Sequence, residues 1–98
     1  MPVEIELLDP TGDVMGRNVA EKKTITFTGI VRFIYHAEIL ITHPGTIHLC
    51  VIYDAKLPGG YAAMQCPWDK EGMPPTLKQG DNFTFNGTVN FVRDDDAK

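Results

Sequence analysis

Histidine and cysteine side chains that could bind a metal or act in catalysis occur around the middle of the chain. His48 and Cys50 are two residues apart, His36 and His43 precede them, and Cys66 follows. A structural zinc site needs four such ligands, and paired spacings such as Cys-x-x-Cys do not occur here. Alternate residues of a strand lie roughly 6 to 7 Å apart, too far for direct proton transfer. We therefore expect a protein that is not an enzyme and has no cofactor; a small-ligand or metal-binding domain centred on His48 and Cys50 is the third-ranked alternative.

A proline-rich and glycine-rich segment, 57–77, holds the residues best suited to bind another protein. It contains the only tryptophan, Trp68, together with Tyr61, Met64 and Met73. Tryptophan and tyrosine side chains carry much of the binding energy in protein interfaces. We predict that this segment binds a protein partner with Trp68 as the central contact. The alternative is that Trp68 folds down and covers one end of the core.

The charge balance limits the classes of partner. Nine Lys and Arg residues against thirteen Asp and Glu residues give a net charge of −4, which opposes loose attraction to nucleic acid or anionic lipid. No segment approaches the roughly 18 consecutive apolar residues of a membrane span, and the first ten residues do not have the pattern of a signal peptide. Two cysteines are too few for a disulfide framework, and in a reducing compartment we expect them to stay free thiols. We expect a cytoplasmic protein that does not bind membranes.

Alternation of apolar and polar residues is the dominant pattern of the sequence and predicts an all-β fold. Over 83–91 the odd positions are apolar or glycine and the even positions are Asn or Thr. Alternating segments at 3–7, 24–35, 37–42 and 46–54 bring the number of strand candidates to five. The segments 37–42 and 46–54 are expected to form a hairpin through the His-Pro-Gly sequence between them.

The remaining segments are less regular. Residues 14–23 or 61–66 could form a turn or two of helix, and 54–81 reads as a loop interrupted by a short strand or helical turn near 60–66. We predict a single domain over 1–93, followed by an acidic, flexible C-terminal tail, 94–98.

Two distant segments share the pattern Thr-Phe-x-Gly-x-Val-x-Phe, TITFTGIVRFIY at 24–35 and FTFNGTVNFVRD at 83–94. A strand of twelve residues would be about 40 Å long, roughly twice the common length. A glycine in the middle of the inward face would let each strand bend sharply around the core, and the preceding phenylalanine of each would point inward. Gly29 and Gly87 are these glycines, and Phe27 and Phe85 are these phenylalanines.

The segments ITFTGIVRFI, IHLCVIYDA and LKQGDNFTFNGTV resemble the first, third and fourth strands of an OB-fold, over about 24–93. PGTIHLCVIYD is equally similar to a strand of an immunoglobulin-like sandwich. The predicted fold is therefore a small antiparallel β-barrel, OB-like, or an immunoglobulin-like β-sandwich, with about five to seven strands. The OB-fold resemblance implies single-stranded nucleic acid as an alternative partner, with Arg32 and either Tyr53 or Tyr61 as a small platform. The acidic end RDDDAK is faintly similar to the tails of single-strand-binding proteins.

Overall fold

The computed structural model describes residues 2–65 and 71–92, and within these ranges it is an all-β protein. These two ranges contain nine strands: β1 Glu4–Leu8, β2 Val14–Val19, β3 Glu21–Phe27, β4 Ile30–Leu40, β5 Gly45–Thr46, β6 Leu49–Tyr53, β7 Tyr61–Met64, β8 Thr76–Leu77 and β9 Asn82–Val92. The single helical element of the described residues is a 3₁₀ turn, Pro58–Gly60. The predicted all-β class is confirmed, and the strand count exceeds the expected five to seven partly because β5 and β8 have only two residues each.

The strands form two main antiparallel sheets. One sheet has the order β2-β1-β6-β7, the other has the order β3-β4-β9, and β5 pairs with β8. Because each sheet ends in strands that pair on one side only in the described part of the chain, the sheets are open. Of the two predicted architectures, the closed barrel is therefore wrong, and the two antiparallel sheets agree with the predicted β-sandwich. No helix in the described residues has the length and apolar character needed to cross a membrane.

The core lies between the two sheets and follows the period of two. Alternate residues of β1 and β6 and alternate residues of β4 and β9 supply it, because successive side chains of a strand point to opposite faces. Its largest fully buried side chains include Ile5, Leu7, Ile52, Tyr35, Ile39 and Phe85. Burying one such side chain stabilises the folded state by about 1.5 to 3 kcal/mol. Burial of these alternate residues therefore stabilises the packing of the two sheets.

Residues 24–35 form a hairpin, not one bent strand. β3 ends at Phe27, β4 begins at Ile30, and Gly29 in the turn between them has a φ of 78°. Glycine adopts this left-handed conformation without steric cost. The turn places Phe27 opposite Ile30, and Phe27 is 44% exposed. The predictions that Gly29 bends an inward-facing strand and that Phe27 points into the core are both wrong, because the chain reverses direction at this glycine.

Gly87 lies within one continuous strand, as predicted, but its role differs from the expected one. β9 has eleven residues and pairs with β4 along its whole length. Phe85 is 1% exposed, and a Cβ atom on Gly87 would lie 2.5 Å from Cζ of the Phe85 ring. Real Cβ atoms essentially never approach so closely. The missing side chain therefore makes room for the inward-facing ring of Phe85.

Several local predictions fail because strand partners are distant in sequence. The segment 37–42 does not form a hairpin with 46–54: β4 pairs with β3 and β9, and β6 pairs with β1 and β7. Residues 14–19 and 61–64 are strands and not helical turns. The short element expected near 60–66 is confirmed and is the strand β7. The predicted tail, 94–98, lies outside the described residues.

Candidate protein interface at strand β9

Strand β9 is an edge strand of the three-stranded sheet. Among the described residues it pairs with β4 only. An edge strand carries a row of backbone N–H and C=O groups directed away from its sheet, and these can pair with a strand from another chain. β9 offers this edge over eleven residues, about twice the usual strand length.

The composition of β9 leaves this edge unprotected. Its sequence, NFTFNGTVNFV, contains no charged residue and no proline. Its register with β4 runs from Asn82 to Val92 without a shift. The opposite edge of the same sheet, β3, carries Glu21, Lys22 and Lys23. Proteins usually protect long edges with lysine, proline or a bulge, so an edge without any of these is a candidate site for strand addition.

The two faces of β9 differ in chemistry. The outer face carries exposed Asn and Thr side chains at the even positions from 82 to 90. On the inner face Phe85 is buried, whereas Phe83, Val89 and Phe91 are only partly buried and pack against the rim of the core. The ring of Phe91 meets that of Phe33 edge to face, with centroids 5.3 Å apart. A strand added beside β9 would therefore meet apolar groups on one face and neutral polar groups on the other.

A hydrogen-bonded network fixes the side chains of the outer face. Oε1 of Glu38 accepts hydrogen bonds from Thr84 Oγ1 at 2.7 Å and Asn82 Nδ2 at 2.8 Å. His36 Nε2 lies 2.9 Å from Oε2 of Glu38, and His36 Nδ1 lies 2.7 Å from Oδ1 of Asn86. The contact with Asn86 and then the charge of Glu38 raise the pKa of His36. The hydrogen bonds from Thr84 and Asn82, together with His36, lower the pKa of Glu38.

The predicted contacts within 57–77 are only partly described. Tyr61 of β7 lies opposite Tyr53 of β6, and these side chains are 57% and 42% exposed. Met64 packs against the core, and Met73 is 59% exposed. Trp68, the predicted central contact, lies outside the described residues. The structure thus brings the two tyrosines together on the four-stranded sheet.

Arg32 belongs to the other sheet. Its Nε donates a 2.9 Å hydrogen bond to Oδ1 of Asn90, and its guanidinium carbon lies 5.0 Å from the centroid of the Phe27 ring. Arg32 is in β4, whereas Tyr53 and Tyr61 are in β6 and β7. The predicted nucleic-acid platform would therefore have to draw its arginine and its tyrosines from two different sheets.

The predicted pair His48 and Cys50 does not form a ligand set. Cys50 is fully buried and disulfide-bonded, and His48 is exposed. A disulfide sulfur carries no thiolate, which is the form that binds metals. The expectation of a free thiol at Cys50 is therefore wrong. The other cysteine of the chain, Cys66, lies outside the described residues.

A group that the sequence analysis missed lies at the β1–β2 turn. Ligand atoms of Asp9, Asp13 and His43 lie within 4.8 Å of one another. Oδ1 of Asp9 accepts hydrogen bonds from Thr11 N, Thr11 Oγ1 and Asp13 N at 2.9, 2.6 and 3.0 Å. These bonds, led by the Thr11 hydroxyl, lower the pKa of Asp9. An aspartate that bonds the backbone of the following residues is a common turn device, and this role accounts for Asp9.

A buried ionic group joins the two sheets. Lys22 Nζ lies 2.7 Å from Oδ2 of Asp54, and the side chains are 19% and 4% exposed. The same ammonium lies 3.8 Å from the centroid of the Phe33 ring. Tyr35 and the backbone amide of Lys56 also donate hydrogen bonds to the Asp54 carboxylate. No buried side-chain polar atom in the described residues is left without a partner, so this group is saturated and structural.

Comparison of the chain with protein-family models, curated proteins and solved structures found no match.

Proposed function

We propose that this domain is a non-enzymatic protein-binding or assembly module that adds a strand from its partner to the edge of β9. The observation that carries the proposal is the eleven-residue edge without charge, proline or register shift. In strand addition the backbone hydrogen bonds supply affinity, and alternate side chains supply specificity. The fully paired β4 side anchors β9, so the backbone groups of its free edge are held in an extended row before binding.

The faces of β9 indicate the chemistry of the partner. On the inner face, Phe83, Val89 and Phe91 are partly buried, and apolar side chains on the added strand would complete their burial. On the outer face, Asn and Thr side chains favour small polar neighbours without charge. The expected partner segment is therefore extended, alternating and uncharged.

The segment 57–77 stays a second predicted contact surface. The exposure of Tyr61 and Met73 supports it, because large exposed apolar side chains in one segment are typical of interaction sites. Replacing Trp68 with Ala tests this contact: loss of binding with an unchanged melting temperature supports it. A large loss of stability would assign Trp68 to the core.

Single-stranded nucleic acid is the less favoured partner. The net charge is −4, and Arg32 already contacts Asn90 and Phe27. Binding of an oligonucleotide that weakens steeply with salt would favour this alternative.

A cytoplasmic location stays a prediction from the sequence, and the disulfide bond of Cys50 argues against it because the cytosol keeps most thiols reduced.

Strand addition can be tested with a displayed library of random eleven-residue peptides selected on the full chain. We expect enriched peptides to alternate apolar and polar residues and to slow hydrogen exchange at β9 amides. Neighbouring amides of an edge strand point alternately to the sheet and away from it. Of the variants T88P and V89P, one therefore removes an outward donor while keeping the pairing with β4, and the other removes a donor to β4. The variant that keeps its fold is the test of the free edge.

The folded proline variant should lose most of the peptide binding. Peptides that bind it as well as they bind the unmodified chain, or that protect amides only elsewhere, would show that β9 is not the binding edge.

A further inference from the structure

We propose that the strand added to β9 is β9 of a second copy of this chain, antiparallel and centred on Gly87. This inference rests on the proposed function, since it names the partner that occupies the same edge. It gives a symmetric homodimer in which two three-stranded sheets join into one continuous sheet.

The sequence of β9 is complementary to itself about its central glycine. With Gly87 opposite Gly87, the pairs are Phe85 with Val89, Phe83 with Phe91, Asn86 with Thr88, Thr84 with Asn90, and Asn82 with Val92. The inner-face pairs are apolar, and two of the three outer-face pairs combine Asn with Thr. Only the terminal pair places a polar residue opposite an apolar one. A two-fold interface requires this kind of match, because each patch meets its own copy.

The faces of the strand restrict the register. A shift by one residue would place inner phenylalanines beside the solvent-facing side chains of the partner, because side chains alternate with a period of two. A shift by two residues keeps the faces but leaves residues at the ends of each strand unpaired. The register centred on Gly87 uses all eleven residues of both strands.

Charge favours this strand as the point of self-association. The chain carries a net charge of −4, so two copies repel each other as whole molecules. β9 contains no charged residue, and like charges therefore do not face each other across the new pairing. The opposite edge, β3, carries Glu21, Lys22 and Lys23 and is protected in the usual way.

Burial supplies the driving force. Phe83, Val89 and Phe91 pack only partly against the core. In the proposed pairing Phe83 lies beside Phe91 of the second copy, at both ends of the interface. Aromatic cross-strand pairs stabilise antiparallel sheets. Gly87 has no side chain, which leaves the ring of Phe85 in place on each side of the two-fold axis.

The test is sedimentation equilibrium of the full chain from low micromolar to millimolar concentration. Two variants, N86K/T88K and N86E/T88E, place like charges opposite each other twice in the proposed dimer. Asn86 and Thr88 are both exposed in the isolated chain. The variant N86A/T88A controls for the lost contact of Asn86 with His36. We expect the unmodified chain and the alanine control to dimerise, each charged variant to dimerise at least tenfold more weakly at low salt, and an equimolar mixture of the two charged variants to recover a heterodimer.

Two outcomes would overturn the proposal. A chain that is monomeric at every concentration excludes self-pairing, and a dimer that is equally strong in both charged variants excludes this edge and register. The peptide selection separates the two proposals. If the chain is monomeric but selected peptides still protect β9, the partner is another protein and only self-pairing fails. If neither a dimer nor β9-bound peptides are found, strand addition fails as well.

Discussion

The phenol of Tyr35 donates a 2.7 Å hydrogen bond to the same Asp54 oxygen that Lys22 contacts at 2.7 Å. Lys22 lies in β3, Tyr35 lies in β4, and Asp54 follows β6. One buried carboxylate thus joins the three-stranded sheet to the four-stranded sheet. Burial and the neighbouring carboxylate raise the pKa of Tyr35, so the phenol keeps its proton and remains a donor.

Replacing Tyr35 with Phe should lower the free energy of unfolding by about 1.5 to 3 kcal/mol, the usual value of a hydrogen bond to a charged group. Urea denaturation measures the change. The matched control is Y53F, which removes a 3.0 Å hydrogen bond to Glu6 from a side chain that is 42% exposed. The control should cost clearly less. Equal losses in the two variants would show that the buried contact has no special role.

Stability should fall on acidification because of Asp54. Burial tends to raise the pKa of Asp54, but hydrogen bonds from Lys22, the Lys56 amide and Tyr35 outweigh it, and the pKa lies below that of an ordinary aspartate. A lowered folded-state pKa stabilises the fold above the unfolded-state pKa, and this contribution is lost as the pH falls through the folded value. Denaturation from neutral pH to below pH 3 should therefore show a steeper acid loss in the unmodified chain than in D54N. Parallel pH curves would contradict this role of Asp54.

His36 should remain protonated above the usual pH range of a histidine. Its contacts with Asn86 and Glu38 raise its pKa, so they stabilise the fold fully below the ordinary histidine pKa of about 6.5 and lose this effect as the pH rises through the folded value. An NMR titration of the imidazole measures the midpoint. In N86A and E38Q the midpoint should move down toward the ordinary value. An unchanged midpoint in both variants would exclude these contacts as the cause.

Replacing Gly87 with Ala should destabilise the protein by about 1 to 3 kcal/mol, the usual cost of overpacking. The new Cβ would lie 2.5 Å from the Phe85 ring, so the ring has to leave its buried position. The same change in an F85L background should cost less, because leucine has no atom at the Cζ position of the ring. A double-mutant cycle on thermal or urea unfolding measures this coupling. Additive effects of the two changes would indicate that Gly87 serves another purpose.

Cys50 should resist alkylation in protein denatured without a reducing agent. The residue is disulfide-bonded, and mass spectrometry after treatment with iodoacetamide detects the absence of label. Reduction, or the variant C50S, should lower stability by about 2 to 5 kcal/mol, as is common when a small domain loses a disulfide. Because C50S also changes a buried side chain, reduction of the unmodified chain, which breaks the bond but keeps Cys50, is the control for packing. Full labelling without reduction would contradict the bond.

The alternation of the sequence was sufficient to predict the fold class and much of the core. The predicted strand at 3–7 corresponds to β1, the 46–54 segment contains β6, and the inward position of Phe85 is confirmed. These features depend on burial of alternate residues, which the local pattern reports. The same pattern could not separate Gly29 from Gly87, because Thr-Phe-x-Gly occurs at both places. Whether such a glycine lies in a turn or within a strand depends on which segments pair with each other, and the local pattern does not show this.

The candidate interface and the buried ionic group depend on contacts that a single sequence does not show. Whether β9 is central or at an edge is decided by its neighbours, and these come from segments far away in the chain. The ionic group likewise joins Lys22 of one sheet to Asp54, which follows a strand of the other sheet. One local signal was present: the run from 82 to 92 contains no charge and no proline. On a strand with one polar face, such a run indicates an edge open to pairing.

The order in which strands pair has a consequence for folding during synthesis. The hairpins β1–β2 and β3–β4 join neighbours in the sequence, so both can close soon after they leave the ribosome. β1 can pair with β6, and β4 can pair with β9, the last strand of the described residues, only after those later strands have been synthesised. Contacts between distant segments form late because closing long loops is slow. A nascent chain that stalls before β9 would leave one backbone edge of β4 unpaired along eleven residues, and an unpaired edge can pair with a strand from another chain.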